Sequence, residues 1–230
     1  MTNSPAESAA LASVSPTPAH RTAWIVAAVL ALIVLLMALV DPIAGPWSIR
    51  MAQLPAVDRY RDFSTPLGRD ALHGFFALGL LLAALICRSK VYARLALVVV
   101  VAYVLAGGSC HIVKMVTHRP RPETLPAPWL GGWGLAPCLI ENGLHSFPSG
   151  DVTISAALAT IWFLALGSGR ARYTVFLMPL LSAIGRVLGA AHYPSDCLGA
   201  GLLGVFTSLQ VWRWLMPPAE AARTDAPAPG

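Results

Sequence analysis

Charged side chains are scarce in this sequence. Asp, Glu, Lys and Arg supply 12% of its 230 residues, whereas hydrophobic residues supply 56%. Ordinary soluble domains contain roughly 25% charged and about 45–50% apolar residues. The composition therefore excludes an ordinary soluble domain and predicts a membrane protein. The net charge is +5, but the basic residues form no continuous patch, which argues against a nucleic-acid partner.

Cysteine is also rare, and its pattern excludes the common metal sites. The four cysteines show no paired spacing of the kind that binds zinc. Cys110, Cys138 and Cys197 are expected on the non-cytoplasmic side, where one disulfide among them could form. The interpretation we favour is that they are small buried hydrophobic residues. The chain also lacks internal repeats, including the inverted half-repeats typical of transporters.

Long apolar runs dominate the rest of the chain. Six of them approach the roughly 20 residues that cross a bilayer as a helix, at Trp24–Val40, Ala71–Cys87, Tyr92–Ser109, Val152–Gly167, Tyr173–Ala190 and Leu198–Met216. They predict an all-α, polytopic membrane protein, with six transmembrane helices in one bundle formed by residues 21–216. Residues 1–20 and 217–230 are predicted to be disordered tails. The first run begins too late, and is too long, for a cleaved signal peptide.

The distribution of basic residues between the spans predicts the orientation. With the N-terminus inside, the cytoplasmic side carries Arg21, Arg88, Lys90, Arg94, Arg170, Arg172, Arg213 and Arg223, and only the acids Glu7, Glu220 and Asp225. Both tails are then cytoplasmic. Residues 41–70 lie outside, where Tyr60 and Phe63 indicate either a short interfacial helix or a solvated loop. The long outer segment 110–149 is predicted to be functional.

Ionisable residues beside the spans form three clusters at this outer face, and such residues indicate function. In the first cluster, "KMVTHRPRP", Lys114 ends a span and Arg121 precedes Pro122. The two cations can converge on one anion, Lys as a point charge and Arg as a planar fork. Contact with lipid headgroups is the alternative reading of this cluster alone.

The second cluster is "HSFPSGD", in which Pro148 is expected in the first turn of a helix. Ser149 supplies a hydroxyl group, and Gly150 lets a ligand approach the backbone. Free N–H groups at a helix start attract anions. The alternative is an ordinary helix start with Asp151 as a favourable acid.

The third cluster, "GRVLGAAHYPSD", contains Arg186, His192 and Asp196. A His beside an Asp has a fixed tautomer and a free ring nitrogen that can attack. A structural Arg–Asp pair is the alternative. Taken together, three cations, a phosphate-cradling turn and a His/Asp pair predict a site where a phosphate is attacked in line.

The three clusters resemble the type 2 phosphatidic acid phosphatase family of integral membrane lipid phosphatases. Its signature is Lys-x6-Arg-Pro, then Pro-Ser-Gly-His, then Ser-Arg-x5-His-x3-Asp, and the spacings here are the same. The resemblance implies that His192 is a nucleophile forming a phosphohistidine and that Asp196 orients it. It also implies no metal and no cofactor. The implied phosphate-binding groups are Lys114, Arg121, Arg186, Ser149 and the backbone N–H of Gly150.

Two positions depart from the family pattern. Gly185 replaces a Ser, and Asp151 replaces the His that protonates the leaving group. Three explanations of Asp151 stay open. Asp151 is itself protonated and donates the proton, or His145 or His118 donates it. Alternatively, a diphosphate substrate has a leaving group that needs little protonation.

The resemblance implies a lipid phosphate or diphosphate phosphatase, acting at the outer face of a bacterial-type inner membrane. A polyprenyl diphosphate or a lipid A type substrate is favoured by the Asp151 argument. The expected partners are the bilayer and the lipid phosphate, with no required protein partner implied. A lipid phosphotransferase and a catalytically impaired relative that binds anionic lipids are the alternatives.

Overall fold

The computed structural model describes residues 18–68, 70–117, 119–124 and 145–216, with the backbone alone for 18–23, 70 and 71. The α-helices are α1 (Pro18–Leu39), α2 (Asp41–Met51), α3 (Pro55–Ser64), α4 (Asp70–Ile86), α5 (Lys90–Thr117), α6 (Gly150–Ala165), α7 (Leu177–Leu188) and α8 (Pro194–Leu215). Short 3-10 segments lie at Thr65–Gly68, Pro122–Thr124 and Arg170–Phe176. Within these ranges the fold is all-helical, with one isolated β-bridge between Pro120 and His145.

The interior is built from small and medium side chains of α5, α6 and α8. Val98 and Ala102 of α5 pack with Leu158 of α6 and Val211 of α8 in one buried cluster. Helices α6 and α8 approach so closely that a Cβ at Gly204 would overlap the carbonyl oxygen of Thr153. Small residues at such contacts are typical of helices that associate in a membrane.

Large apolar side chains cover the outside of the bundle. Trp24, Phe75, Leu85 and Val116 are each more than 70% exposed. An exposed apolar surface of this extent is unfavourable in water but matches hydrocarbon. The exterior is therefore compatible with a membrane protein.

Several helices have the length and apolarity needed to cross a membrane. Among the described residues these are the helical runs Pro55–Ile86, Lys90–Thr117 and Arg170–Leu188. A fourth span results if α1 and α2, which meet at a bend of 60°, are counted as one broken span. Helix α6 is apolar but has only 16 residues. The six-span bundle stays a prediction.

The segment between the first two predicted spans is helical. Helix α2 follows α1 directly, and α3 contains Tyr60 and Phe63. A helix thus forms where the sequence indicated either an interfacial helix or a loop. Pro55 lies in the first turn of α3 and fits this helix start. Its fixed φ suits a helix, and the N–H that proline lacks would have no partner within the helix at this position.

Four helix ends meet at one end of the bundle. Lys114 lies in the last turn of α5, Ser149 precedes α6, Arg186 lies in the last turn of α7, and Asp196 lies in the first turn of α8. A backbone hydrogen bond of 3.4 Å from Ser149 N to Asp196 O joins two of these ends. The three sequence clusters therefore occupy one region of the fold.

Candidate active site

His192 lies in the short connection between α7 and α8, and its ring is buried. Its Nδ1 is 2.7 Å from the carbonyl oxygen of Ser146. Because a carbonyl oxygen only accepts, Nδ1 carries the hydrogen and Nε2 keeps a lone pair. Burial lowers the pKa of His192 below its ordinary value, and the nearby Asp196 carboxylate opposes this effect. A neutral ring with a free Nε2 is the state required of a nucleophile.

Asp196 is fully buried at the start of α8. One carboxylate oxygen, Oδ2, accepts the N–H of Tyr193 at 2.8 Å, which closes the first turn of the helix. The same oxygen is 3.7 Å from His192 Nδ1, beyond hydrogen-bond distance. The other oxygen, Oδ1, is paired with the guanidinium group of Arg119. The carboxylate thus fixes the connection that carries His192, whereas the ring donates its direct hydrogen bond to the carbonyl oxygen of Ser146.

Arg119, Asp41 and Ser195 form a buried network that the sequence reasoning missed. Arg119 Nη2 is 2.7 Å from Asp41 Oδ2, and Arg119 Nη1 donates to Ser195 Oγ at 2.7 Å. The Ser195 N–H donates to Asp41 Oδ1 at 3.3 Å. The Arg119 guanidinium also lies 4.1 Å from the centre of the Tyr193 ring. This network ties the start of α2 to the start of α8.

One signal for this network was present in the sequence. The motif "RPRP" contains two arginines, and Asp41 is an acid at the end of a long apolar run. Such an acid needs a cationic partner. Nothing in the spacing identifies Arg119 as that partner, since 78 residues separate the two.

Lys114 and Arg121 lie near His192 in different surroundings. The Lys114 ammonium is buried and donates to the carbonyl oxygen of His145 at 3.1 Å. Arg121 is partly exposed and lies 3.4 Å from Glu123. Both cations act electrostatically on His192. The same positive charges would attract an anion bound beside the ring.

The turn before α6 presents polar groups without partners. The hydroxyl groups of Ser146 and Ser149 are buried and, among the described residues, have no hydrogen-bond partner. A Cβ at Gly150 would meet only Cys110 Sγ, at 3.9 Å. Helix α6 begins at Gly150 with Ser149 as its N-cap, so Pro148 precedes the helix and the prediction that placed it in the first turn is wrong. Buried unsatisfied hydroxyl groups require an explanation, and an anion at the helix start supplies one.

Asp151 forms an ion pair with Arg186. This pair joins the first turn of α6 to the last turn of α7, and both side chains are about one-fifth exposed. Gly68 packs against the backbone of Asp151, where a Cβ would overlap it. The cation that the sequence assigned to phosphate binding thus has a carboxylate partner within the chain.

Ser64 of α3 occupies the space beside Gly185. A Cβ at Gly185 would overlap the Ser64 hydroxyl group. Ser64 is buried, and its hydroxyl donates to the carbonyl oxygen of Arg61 at 3.3 Å. The absence of a side chain at residue 185 is therefore required by the packing of α3.

The structure describes some of the other residues predicted from the sequence and not others. His145 is buried beside Lys114, whereas His118 and Cys138 lie outside the described residues. Cys110 and Cys197 are free and buried. In the ranges that the structure describes, no three His, Cys, Asp or Glu side chains gather as a metal site would require.

The chain is similar to known proteins in sequence and in structure. A sequence model of the PAP2 superfamily matches residues 95–218. The crystal structure of LpxE from Aquifex aeolicus resembles the chain with a TM-score of 0.49 and 24% identity, over 70% of this chain and 88% of that chain. No curated protein sequence gives a significant match. The matched region contains all three ionisable clusters and excludes Asp41.

Proposed function

Since the chain belongs to the PAP2 superfamily, we propose that it is a membrane phosphatase that hydrolyses a lipid phosphate or diphosphate through a phosphohistidine. The observation that carries this proposal is the His192 ring. The Ser146 carbonyl fixes its Nδ1 hydrogen, and burial keeps the ring neutral by lowering its pKa. Its Nε2 lone pair is thereby available beside two cations.

The proposed reaction has two steps. In the first, Nε2 of His192 attacks phosphorus, a P–N bond forms, and the P–O bond to the lipid breaks with its electron pair leaving on oxygen. In the second, a water oxygen attacks phosphorus, the P–N bond breaks, and the electron pair returns to Nε2. The proton that the water loses passes to the group that protonated the leaving oxygen, or to solvent where the leaving oxygen took up no proton. The net result is the addition of water across the P–O bond.

The cationic groups hold the phosphoryl oxygens. Lys114 and Arg121 act electrostatically on the His192 ring, and the buried Ser149 hydroxyl has no partner among the described residues. Charge that develops on the phosphoryl oxygens is stabilised by donors that are already in position. We assign the same role to Arg186 and to the Gly150 N–H. The proposed reaction uses no metal ion, because side-chain cations supply the positive charge.

The pairing of Asp151 with Arg186 favours one class of substrate. A carboxylate beside a guanidinium group is stabilised in its charged form, so Asp151 is a poor proton donor to a leaving alkoxide. A diphosphate releases a phosphomonoester, which is a better leaving group. We therefore propose a lipid diphosphate of polyprenyl type, with His145 as the alternative proton donor. Lipid A, whose phosphates are ordinarily separate monoesters, is the second candidate.

The test is phosphate release by the detergent-purified protein from phosphatidic acid, phosphatidylglycerol phosphate, a polyprenyl diphosphate and lipid A. We expect release to be fastest from a diphosphate and to disappear in His192→Ala. Arg170→Ala is the control for loss of a cation, because Arg170 is exposed and begins the 170–176 segment, which precedes α7. Equal rates on phosphatidic acid and the diphosphate would refute the assignment of substrate.

Product analysis separates hydrolysis from transfer. Free phosphate is the product of a phosphatase, whereas a phosphorylated lipid would identify a phosphotransferase. Lipid binding without either product would favour a catalytically impaired relative. We further propose a bacterial-type inner membrane with the site facing the periplasm, which reporter fusions at the two termini and in the 125–144 segment would test.

A further inference from the structure

A groove runs from the proposed phosphate site along α5. Its first part is a cavity of about 380 Å³ between α5 and α6, within the roughly 300–1,000 Å³ typical of ligand pockets. Lys114 and Gly150 lie at one end of this cavity, and Tyr103 and Ile154 lie at the other. The cavity is thus continuous with groups that we assign to phosphate binding.

A second cavity adjoins the first and lies between α4 and α5. It measures about 140 Å³ and shares Tyr103 with the first. Val99 and Val100 form its wall on α5, and Gly74 and Ala77 form its wall on α4. From Lys114 to Val99 the helix advances by about 22 Å at 1.5 Å per residue. The hydrocarbon core of a bilayer is about 30 Å thick, so the groove extends beyond the middle of a membrane that begins at Lys114.

Glycines of α5 leave the groove open. Gly107 and Gly108 line the first cavity, and a Cβ at either position would meet no atom within 4 Å. Glycine is a poor helix former in the middle of a helix, and close packing against another described residue does not explain this pair. An occupant of the groove would explain it.

The polar groups within the groove are already engaged. His73 Nε2 is 3.2 Å from the carbonyl oxygen of Ile154, and its ring lies 5.5 Å from that of Tyr103. Apart from Lys114, His111 and the His73–Tyr103 pair, the walls are apolar residues, glycine and Cys110. An apolar occupant that needs no hydrogen bonds fits such walls.

Because the two cavities adjoin at Tyr103 and the first reaches Lys114, we propose that together they bind one extended hydrocarbon chain of the substrate, such as the chain of a polyprenyl diphosphate. The proposal rests on the proposed function, because the phosphate at Lys114 fixes the end of the chain. The chain lies against Gly107 and Gly108 and passes Tyr103 toward Gly74. The groove thereby selects substrates with a long single chain over short soluble phosphates.

The kinetic test fills the groove in the complete protein. In Gly107→Leu and Gly108→Leu we expect the KM for a polyprenyl diphosphate to rise at least tenfold, while kcat/KM for p-nitrophenyl phosphate changes less than twofold. Gly79→Leu is the matched control, since Gly79 in α4 is also open to a Cβ but lines neither cavity. It should leave both substrates unchanged. Equal changes for both substrates, or no change for either, would overturn the proposal.

A labelling experiment separates this proposal from the proposed function. A long-chain alkyl phosphate with a diazirine on its chain is photolysed with the protein, and the labelled residues are identified by mass spectrometry. We expect labelling near Val104 and Ile154, reduced at least fivefold in Gly107→Leu. Labelling there without any phosphate release would reject the phosphatase but retain the groove. Labelling elsewhere, or equal labelling in Gly107→Leu, would reject the groove.

Discussion

Replacing Arg119 with Met should lower the free energy of unfolding more than replacing any other cationic residue of the candidate site. The Arg119 guanidinium lies between two carboxylates, those of Asp41 and Asp196, and all three side chains are at most 1% exposed. Removing one partner of a buried ion pair costs about 3–5 kcal/mol, because the remaining charge is uncompensated. Here two carboxylates lose their partner.

The expected magnitude follows from the bonds that remain. Asp196 keeps the Tyr193 N–H, and Asp41 keeps the Ser195 N–H. These bonds offset part of the loss, so we expect the free energy of unfolding to fall by about 3–5 kcal/mol in Arg119→Met. In Arg119→Met with Asp41→Asn, one uncompensated charge is removed, and part of that loss should be recovered.

The matched control is the neighbouring arginine of the same motif. Arg121 is partly exposed, and its contact with Glu123 is 3.4 Å, so Arg121→Met should cost at most about 1 kcal/mol. Unfolding in mixed micelles, followed by tryptophan fluorescence, measures both changes. Equal losses in the two variants, or a loss below about 1 kcal/mol in Arg119→Met, would show that the Arg119 ion pairs do not stabilise the fold. Phosphate release should fall in Arg121→Met although its stability is kept.

Three further predictions concern the site and its packing. Protonated His192 cannot attack, and burial lowers its pKa, so the acidic limb of the kcat/KM profile should lie below about pH 6.5; a limb at higher pH would contradict this. Asp151→His removes the carboxylate paired with Arg186 and supplies a proton donor, so release from phosphatidic acid should rise at least tenfold relative to a polyprenyl diphosphate; an unchanged ratio would show that residue 151 does not control the leaving group. Gly185→Ala should cost about 1–3 kcal/mol of stability because its methyl group overlaps Ser64, and Ser64→Gly in the same chain should restore most of it, as denaturation of the two variants would show.

The helix ends were predictable because apolar length and polar spacing are local properties. Lys114 and Asp196 flank apolar runs in the sequence, and each lies in a terminal turn of its helix. Successive antiparallel helices bring such ends together whatever the details of packing. The location of the candidate site therefore follows from the pattern, as does the all-helical fold.

The partners within the site were not predictable from spacing. Asp151 pairs with Arg186 and Asp41 pairs with Arg119, although the sequence suggested phosphate contacts for Arg186 and left Arg119 without a role. Which residues pair depends on the packing angle between helices that are distant in the chain. The same holds for Gly185, whose missing side chain is explained only by Ser64 of α3.

The link from Asp41 to Arg119 has a consequence for how the chain can be divided. The region that matches the superfamily begins at residue 95, yet the counter-charge for Arg119 comes from Asp41. A fragment starting at the family boundary would expose this guanidinium group and lose the α2 support of Ser195. Grafting the matched region onto other leading helices would require a carboxylate at the same place. The modular unit of this protein is consequently larger than its recognisable sequence domain.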